Sequence, residues 1–253
     1  MPSAAAGGSC LVCLVTGANR GIGLSIASLL AKRSGSVVFA GVRDPSRADA
    51  LNQLAQKTKN VHVVPYTSPD EISTRRLADL IKEKVGKVDV VIANAGTQLA
   101  FDPLSKCSAR DLSQTFDVNV VGPILLFQAL HPLLASSSAP QFVGISSSLG
   151  SVALAIPDSP DAYCISKAAL NSAVARIALN HGKKDGINAY VLHPGLVATD
   201  MGGDYMSKAN IPTSLAVSAD ESAEAIVRFV DGATRAKTGG KFFDAVKGVE
   251  LPW

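Results

Sequence analysis

Short β-branched apolar runs alternate along the chain with longer stretches of helical character. The runs Leu11–Thr16, Ser36–Val42, Val61–Tyr66, Val88–Ala93, Gln141–Ser146, Asn188–His193 and Lys241–Asp244 predict strands. Five of them are near-continuous apolar segments, as required of parallel strands covered on both faces. Helices are predicted over Ile22–Arg33, Arg47–Lys57, Asp70–Lys84, Ala109–Leu134, Ala162–His181 and Ala219–Thr234. The repeated β-then-α order demands right-handed crossovers. The expected fold class is therefore α/β, one doubly wound domain with a seven-stranded parallel sheet flanked by helices. No long linker, internal repeat or low-complexity tract divides residues 1–253, and Ser136-Ser137-Ser138-Ala139-Pro140 reads as a loop. Residues 1–9 are expected to be a disordered N-terminal lead.

Composition narrows the setting. Of the 253 residues, 47% are hydrophobic and 18% charged, enough to bury a large core and too apolar for disorder. Net charge is +3, with 24 basic and 21 acidic residues interspersed, so neither nucleic acid nor a membrane surface is an expected partner. The start Met1-Pro2-Ser3-Ala4 lacks the basic n-region of a signal peptide, and no apolar run reaches the ~18 residues of a membrane span. A cytoplasmic location is the expectation. Cys10-Leu11-Val12-Cys13 has the form of a CxxC pair. It lies on a predicted strand, where positions three apart face opposite sides, so structural thiols are expected.

The first strand runs into Thr16-Gly17-Ala18-Asn19-Arg20-Gly21-Ile22-Gly23 and then a helix. Glycines there let the backbone turn tightly and approach a pyrophosphate at the positive helix N-terminus. The second strand ends Phe39-Ala40-Gly41-Val42-Arg43, without the acid that NAD-preferring sites place there. Arg20 and Arg43 could together clamp a 2′-phosphate, with Asp44 as a rival partner for Arg43. NADPH/NADP is the cofactor this favours.

Tyr163-Cys164-Ile165-Ser166-Lys167 opens a predicted helix. A spacing of four sets Tyr163 and Lys167 on one face. A phenol ordinarily titrates near ~10, and a neighbouring ammonium favours phenolate. Tyr163 can then serve as proton donor to a carbonyl. Ser147, flanked by Ser146 and Ser148, ends the fifth strand, where a hydroxyl faces the ligand crevice. Asn119 precedes Pro123 by four residues. Pro123 has no amide hydrogen, so the Asn119 carbonyl is expected to be freed at a kink and able to hold a water.

Taken together, the Gly-rich turn, Asn94-Ala95-Gly96, Asn119, Ser147, Tyr163-x3-Lys167 and Pro194-Gly195 occur in the order of the short-chain dehydrogenase/reductases, which the chain resembles along nearly all its length. The strand end Phe39–Arg43 and the tail Gly240 to Trp253 look most like sniffer-type carbonyl reductases and fungal ketoreductases similar to norsolorinic acid ketoreductase. The resemblance implies a Rossmann-type sheet and a catalytic group of Asn119, Ser147, Tyr163 and Lys167. It implies cofactor contacts from Gly17, Asn19, Arg20, Gly21, Ile22, Gly23, Arg43, Thr67, Asn94, Ala95, Gly96, Tyr163, Lys167, Pro194, Gly195, Val197 and Thr199. It also implies a homodimer or homotetramer, with Leu125, Leu126, Phe127 and Leu130 as a possible contact face.

Two departures stand out. Thr67-Ser68 occupies the place of the family's Asp-Val, and the interval from Ser147 to Tyr163 is longer than usual, so Ala155–Pro160 should bulge into the site rim. The segment from Met201 to Leu215 reads as a pocket cover.

The expected reaction is NADPH-dependent reduction of a ketone or aldehyde, aromatic or polyketide-like, to an alcohol. The alternative is a catalytically weak NADP-binding regulator of the same fold. A serine hydrolase is excluded by the missing G-x-S-x-G elbow. No metal site is expected, because His62, His131, His181 and His193 lack ligand spacing and a supporting Asp pattern.

Overall fold

In the computed structural model, residues 10–253 are described; the expectation for residues 1–9 lies outside them. The chain begins with β1 (Leu11–Thr16), α1 (Gly21–Ala31), β2 (Ser36–Val42), α2 (Asp49–Thr58), β3 (Val61–Pro65), α3 (Glu71–Val85) and β4 (Val90–Ala93). A long helical passage follows as α4 (Ala109–Phe116), a π-helical turn over Asp117–Val121, and α5 (Gly122–Ala135). Next come β5 (Gln141–Ile145), α6 (Asp161–His181), β6 (Asn188–His193), α7 (Asp200–Lys208), α8 (Ala219–Gly232), α9 (Arg235–Thr238), β7 (Phe242–Asp244) and β8 (Val249–Glu250).

The strands form one sheet in the order β3-β2-β1-β4-β5-β6-β7-β8. The first seven are parallel, and the strand order reverses between β1 and β4, the switch point where ligands bind in open α/β sheets. The expected seven-stranded sheet is thus corrected by one: β8 adds an antiparallel edge. The few residues after β7 are too short for a crossover, so the chain can only return as a hairpin. The buried Asp244 carboxylate shapes that turn by accepting from the Val246 and Lys247 amides.

Alternation along the strands divides the core into two layers. Cys13 and Val15 pack with Ile26, Leu30, Leu51 and Ile226 under α1, α2 and α8. Val12 and Leu14 pack with Leu77, Leu126, Leu130 and Leu170 under α3, α5 and α6. Each fully buried Leu or Ile contributes about 1.5–3 kcal/mol relative to exposure. The pairing of sulfurs that a CxxC motif needs is absent: Cys13 is buried, Cys10 exposed, and burial pushes the Cys13 thiol up to about 12.

The long helix predicted over Ala109–Leu134 is broken by the π turn, and the reason is Pro123. In that turn the Gly122 amide reaches back to the Asp117 carbonyl, one residue further than in an α-helix. The carbonyl that Pro123 deprives is therefore that of Val118, not Asn119 as expected. It accepts a hydrogen bond from the Ser68 hydroxyl at 2.9 Å instead. Ser68 approaches so closely that a Cβ on Gly122 would collide with its Oγ.

The passage Ala109–Ala135 is apolar and long enough to cross a membrane, with mean hydropathy 1.6 in its richest window. Half of that window is buried in the protein, and Leu126, Leu130 and Leu134 are core residues. Burial also corrects the expected contact face: Leu126, Phe127 and Leu130 point into the sheet. Phe116 on α4 and Ile165 on α6, 41% and 45% accessible, are exposed apolar residues beside a shallow groove between the two helices.

Candidate active site

The turn after β1 is held to its neighbours by backbone and side-chain hydrogen bonds. The Gly17 and Ala18 amides donate to the Gly41 carbonyl at the end of β2. Asn94, just beyond β4, donates through Nδ2 to the Thr16 and Gly17 carbonyls, while Thr16 Oγ1 accepts from the Asn94 and Ala95 amides. A Cβ on Gly23 would strike the Gly17 carbonyl and the Asn94 amide, so only glycine lets α1 start this close to the strand ends. Arg20 caps α1 without a side-chain hydrogen bond to its first-turn amides. Those N–H groups, with no capping oxygen, fit the pyrophosphate of a dinucleotide.

The two arginines expected to act together are differently engaged. Arg20 forms an ion pair with Asp200 at the first residue of α7. Arg43 is exposed and has no ion-pair partner among the described residues. Asp44 is no rival for it, because its carboxylate accepts from the Ser46 amide and hydroxyl. Thr67 is half-buried; its amide donates to Ser73 Oγ. Ser68, the other hydroxyl in that dipeptide, is occupied by Val118.

Across the crevice, Ser222 Oγ donates to the Pro194 carbonyl, Val197 bridges to Val217, and Thr199 caps α7 through the Gly202 amide. Thr199 also lies against Gly21. Pro194, Gly195, Val197 and Thr199 therefore border the same crevice as the glycine-rich turn. The expected pocket cover is ordered as α7 plus a 3-10 turn over Thr213–Leu215. Tyr205 on α7 packs against Phe101, with ring centroids 5.9 Å apart, and its hydroxyl lies beside Ser159. The long Ser-to-Tyr interval thus supplies the loop that α7 closes on. The tail contributes too: the Ala153 amide donates to the Trp253 carbonyl and Ser151 Oγ to the Pro252 carbonyl.

At the centre, the Tyr163 phenol lies beside Ser147, and the Lys167 ammonium lies 5.5 Å from the Tyr163 ring centroid. Lys167 is buried and donates to the Ile145 carbonyl at 2.8 Å. Burial lowers its pKa to about 8. Burial likewise raises the Tyr163 phenol, and the neighbouring Ser147 hydroxyl pulls it back only in part. Desolvation thus opposes ionisation of the Tyr163 phenol in the protein without cofactor.

Asn119 is brought into the group by its side chain. Its Oδ1 accepts from the Thr97 amide, and its Nδ2 donates to the Thr97 carbonyl and to Ser166 Oγ, all within 2.8–2.9 Å. Ser166 Oγ in turn donates to the Tyr163 carbonyl. Asn119 and Lys167 both border Gly96. Sequence reasoning missed Ser166, although it lies inside the YxxxK motif. It also missed His193, whose Nδ1 accepts from the Ser148 amide at 3.0 Å and steadies the turn that carries Ser147. Burial drives the His193 pKa down to about 4, so the ring stays a neutral acceptor. Ser146, one rival for the catalytic serine, is committed to Asn171.

A family model described as short chain dehydrogenase matches residues 11–210. The short chain dehydrogenase gsfK of Penicillium aethiopicum is 38% identical over 252 residues, 95% of this chain and 98% of the relative. The short-chain dehydrogenase srdF of Neurospora crassa is 32% identical over 252 residues, 96% and 97% of the two chains. Among solved structures, an NADPH-bound carbonyl reductase from chicken fatty liver superposes with a TM-score of 0.88 at 31% identity, covering 97% of this chain and 99% of its own. The carbonyl reductase Sniffer of Drosophila melanogaster gives 0.86 at 26% identity, with 97% and 100% covered. The chain therefore belongs to the short-chain dehydrogenase family of oxidoreductases.

Proposed function

We propose that this protein reduces a ketone or aldehyde to an alcohol with NADPH, using Tyr163 as the proton donor. The observation that carries the proposal is the Tyr163 phenol set beside Ser147 with the Lys167 ammonium over its ring. NADPH, when bound, supplies the hydride. Likeness to an NADPH-bound carbonyl reductase supports this choice, as does the exposed Arg43 at the end of β2, where an acid would favour NAD. The uncapped amides of α1 would hold the pyrophosphate. Arg20 and Arg43 would hold the 2′-phosphate, Thr67 and Asn94–Gly96 would line the adenosine side, and Pro194–Thr199 the nicotinamide side.

The chain's own groups account for the proton chemistry. Ser147 would orient the carbonyl oxygen by donating a hydrogen bond, and Tyr163 would give that oxygen its proton as negative charge develops there. Lys167 would stabilise the phenolate that remains, which offsets part of the desolvation cost. Asn119 would keep Thr97 and Ser166 in register around this group. Phe101 packs on Tyr205 of α7, and Leu154 and Ile156 of the preceding loop and Met201 of α7 are exposed, which supports an apolar, aromatic ketone as substrate.

The test is loss of NADPH absorbance with a panel of aromatic ketones. Tyr163→Phe should lower kcat by about 10²–10⁴ while NADPH binding and thermal stability persist. Ser147→Ala should lower kcat with cofactor affinity near normal, and Ser148→Ala should do much less. A folded Tyr163→Phe protein that reduces ketones at the wild-type rate would overturn the assignment. Wild-type protein that binds NADPH but reduces nothing would favour the regulatory alternative.

A further inference from the structure

Well away from this site, three side chains converge at the other end of α6. Asp185, in the turn before β6, places Oδ2 2.9 Å from His131 Nε2 on α5 and 2.7 Å from His181 Nδ1, the last residue of α6. All three potential ligand atoms lie within 4.8 Å of one another. We propose that His131, His181 and Asp185 bind a divalent transition-metal ion of the Zn²⁺ class, with water completing the coordination.

The donor set suits that chemistry, since two imidazoles and one carboxylate match borderline ions and are poor for Mg²⁺ or Ca²⁺. The scaffold is rigid. The Asp185 amide donates to the His181 carbonyl at 2.9 Å, which fixes the turn. Phe127 packs against both imidazoles, with centroids 5.5 and 5.1 Å away, and the two imidazoles are 4.7 Å apart. The cluster is reachable: the three side chains are 30%, 28% and 13% exposed, so an ion can enter without opening the core.

Metal–ligand bonds of about 2.0–2.2 Å at tetrahedral angles need ligand atoms roughly 3.3 Å apart, so each His–Asp spacing must widen by about half an ångström while the two inward histidine nitrogens, within 4.8 Å of each other, settle at the same separation. Neutral histidines can comply without losing a proton. A ring N–H that faces Asp185 moves to the other ring nitrogen, which leaves the inward nitrogen as a lone-pair donor. His181 lies eighteen residue steps beyond Tyr163, about 27 Å along α6, so the ion would cross-link α5 to the turn before β6 rather than enter the reaction.

The experiment uses the full chain. Co²⁺ should bind saturably at one equivalent, with the intense visible bands of a four-coordinate ion, and one equivalent of Zn²⁺ should displace it and raise the melting temperature. Asp185→Asn and His181→Gln should each weaken binding by at least about tenfold. Ketone reduction should be the same with and without a chelator. Melting curves on both variants, with His131→Gln as a third, identify any that fail to fold; the comparison is read on those that do. Absence of saturable 1:1 binding by the wild type, or equal affinity in every folded variant, would overturn the site. Loss of ketone reduction on chelation would overturn its structural role.

Discussion

Arg20 at the start of α1 is ion-paired to Asp200 at the start of α7, joining the two lips of the crevice across 180 residues of chain. Both side chains are mostly exposed, so the pair is worth at most about 1 kcal/mol. A dianionic phosphate can compete for Arg20 at that cost. Asp200→Asn should therefore lower the KM for NADPH by no more than about fivefold and leave that for NADH unchanged. Arg43→Ala should raise the NADPH KM far more than the NADH KM. Steady-state kinetics with both cofactors decides it, and an unchanged ratio in Arg43→Ala would remove the basis for NADPH preference.

Lys167 carries a stability cost that function explains. Its pKa is lowered to about 8 by burial, so folding is penalised while the unfolded lysine is protonated and the folded one must be too. The sign follows from proton binding. Between about pH 8 and the ordinary lysine range the unfolded chain binds the extra proton, and stability rises with pH across that window. Below about pH 8 the penalty is complete, about 3 kcal/mol before the hydrogen bond to Ile145 is counted. Lys167→Met should be inactive. Its stability relative to wild type should be most favourable near pH 7 and should decline above pH 8, as read by chemical denaturation.

The π turn rests on a contact between distant segments. Ser68→Ala would leave the Val118 carbonyl without a partner, a loss of about 1–3 kcal/mol. Gly122→Ala should be worse, because its Cβ would expel Ser68 and break the same bond. Both changes act on the segment that carries Asn119, so kcat should fall along with melting temperature. A Gly122→Ala protein as stable as wild type would contradict this account.

Assembly, if it occurs through α4 and α6, should depend on Phe116 and Ile165 rather than on Leu126, Phe127 and Leu130. Phe116→Glu combined with Ile165→Glu should shift sedimentation to monomer without loss of fold. Monomeric wild-type protein at micromolar concentration would dispose of the expectation.

Much of this protein was legible in one dimension. Continuous apolar runs in the central strands dictate a covered parallel sheet. Tyr163 and Lys167 share a helix face by spacing alone, and the glycine-rich turn marks where a strand hands over to α1. These are local facts, set by backbone geometry within a few residues. The rest required side chains far apart in the chain to meet. Nothing near Val118 indicates that Ser68 will take its carbonyl, nor that Asp200 will hold Arg20. The short return of β8 became possible only once β7 stood at the sheet edge. Desolvation of Lys167 and Tyr163 is decided by everything packed around them. His131, His181 and Asp185 became a cluster because α5 and α6 end at the same side of the sheet. Hydrogen bonding and desolvation depend on proximity in space, and only the tertiary fold confers that.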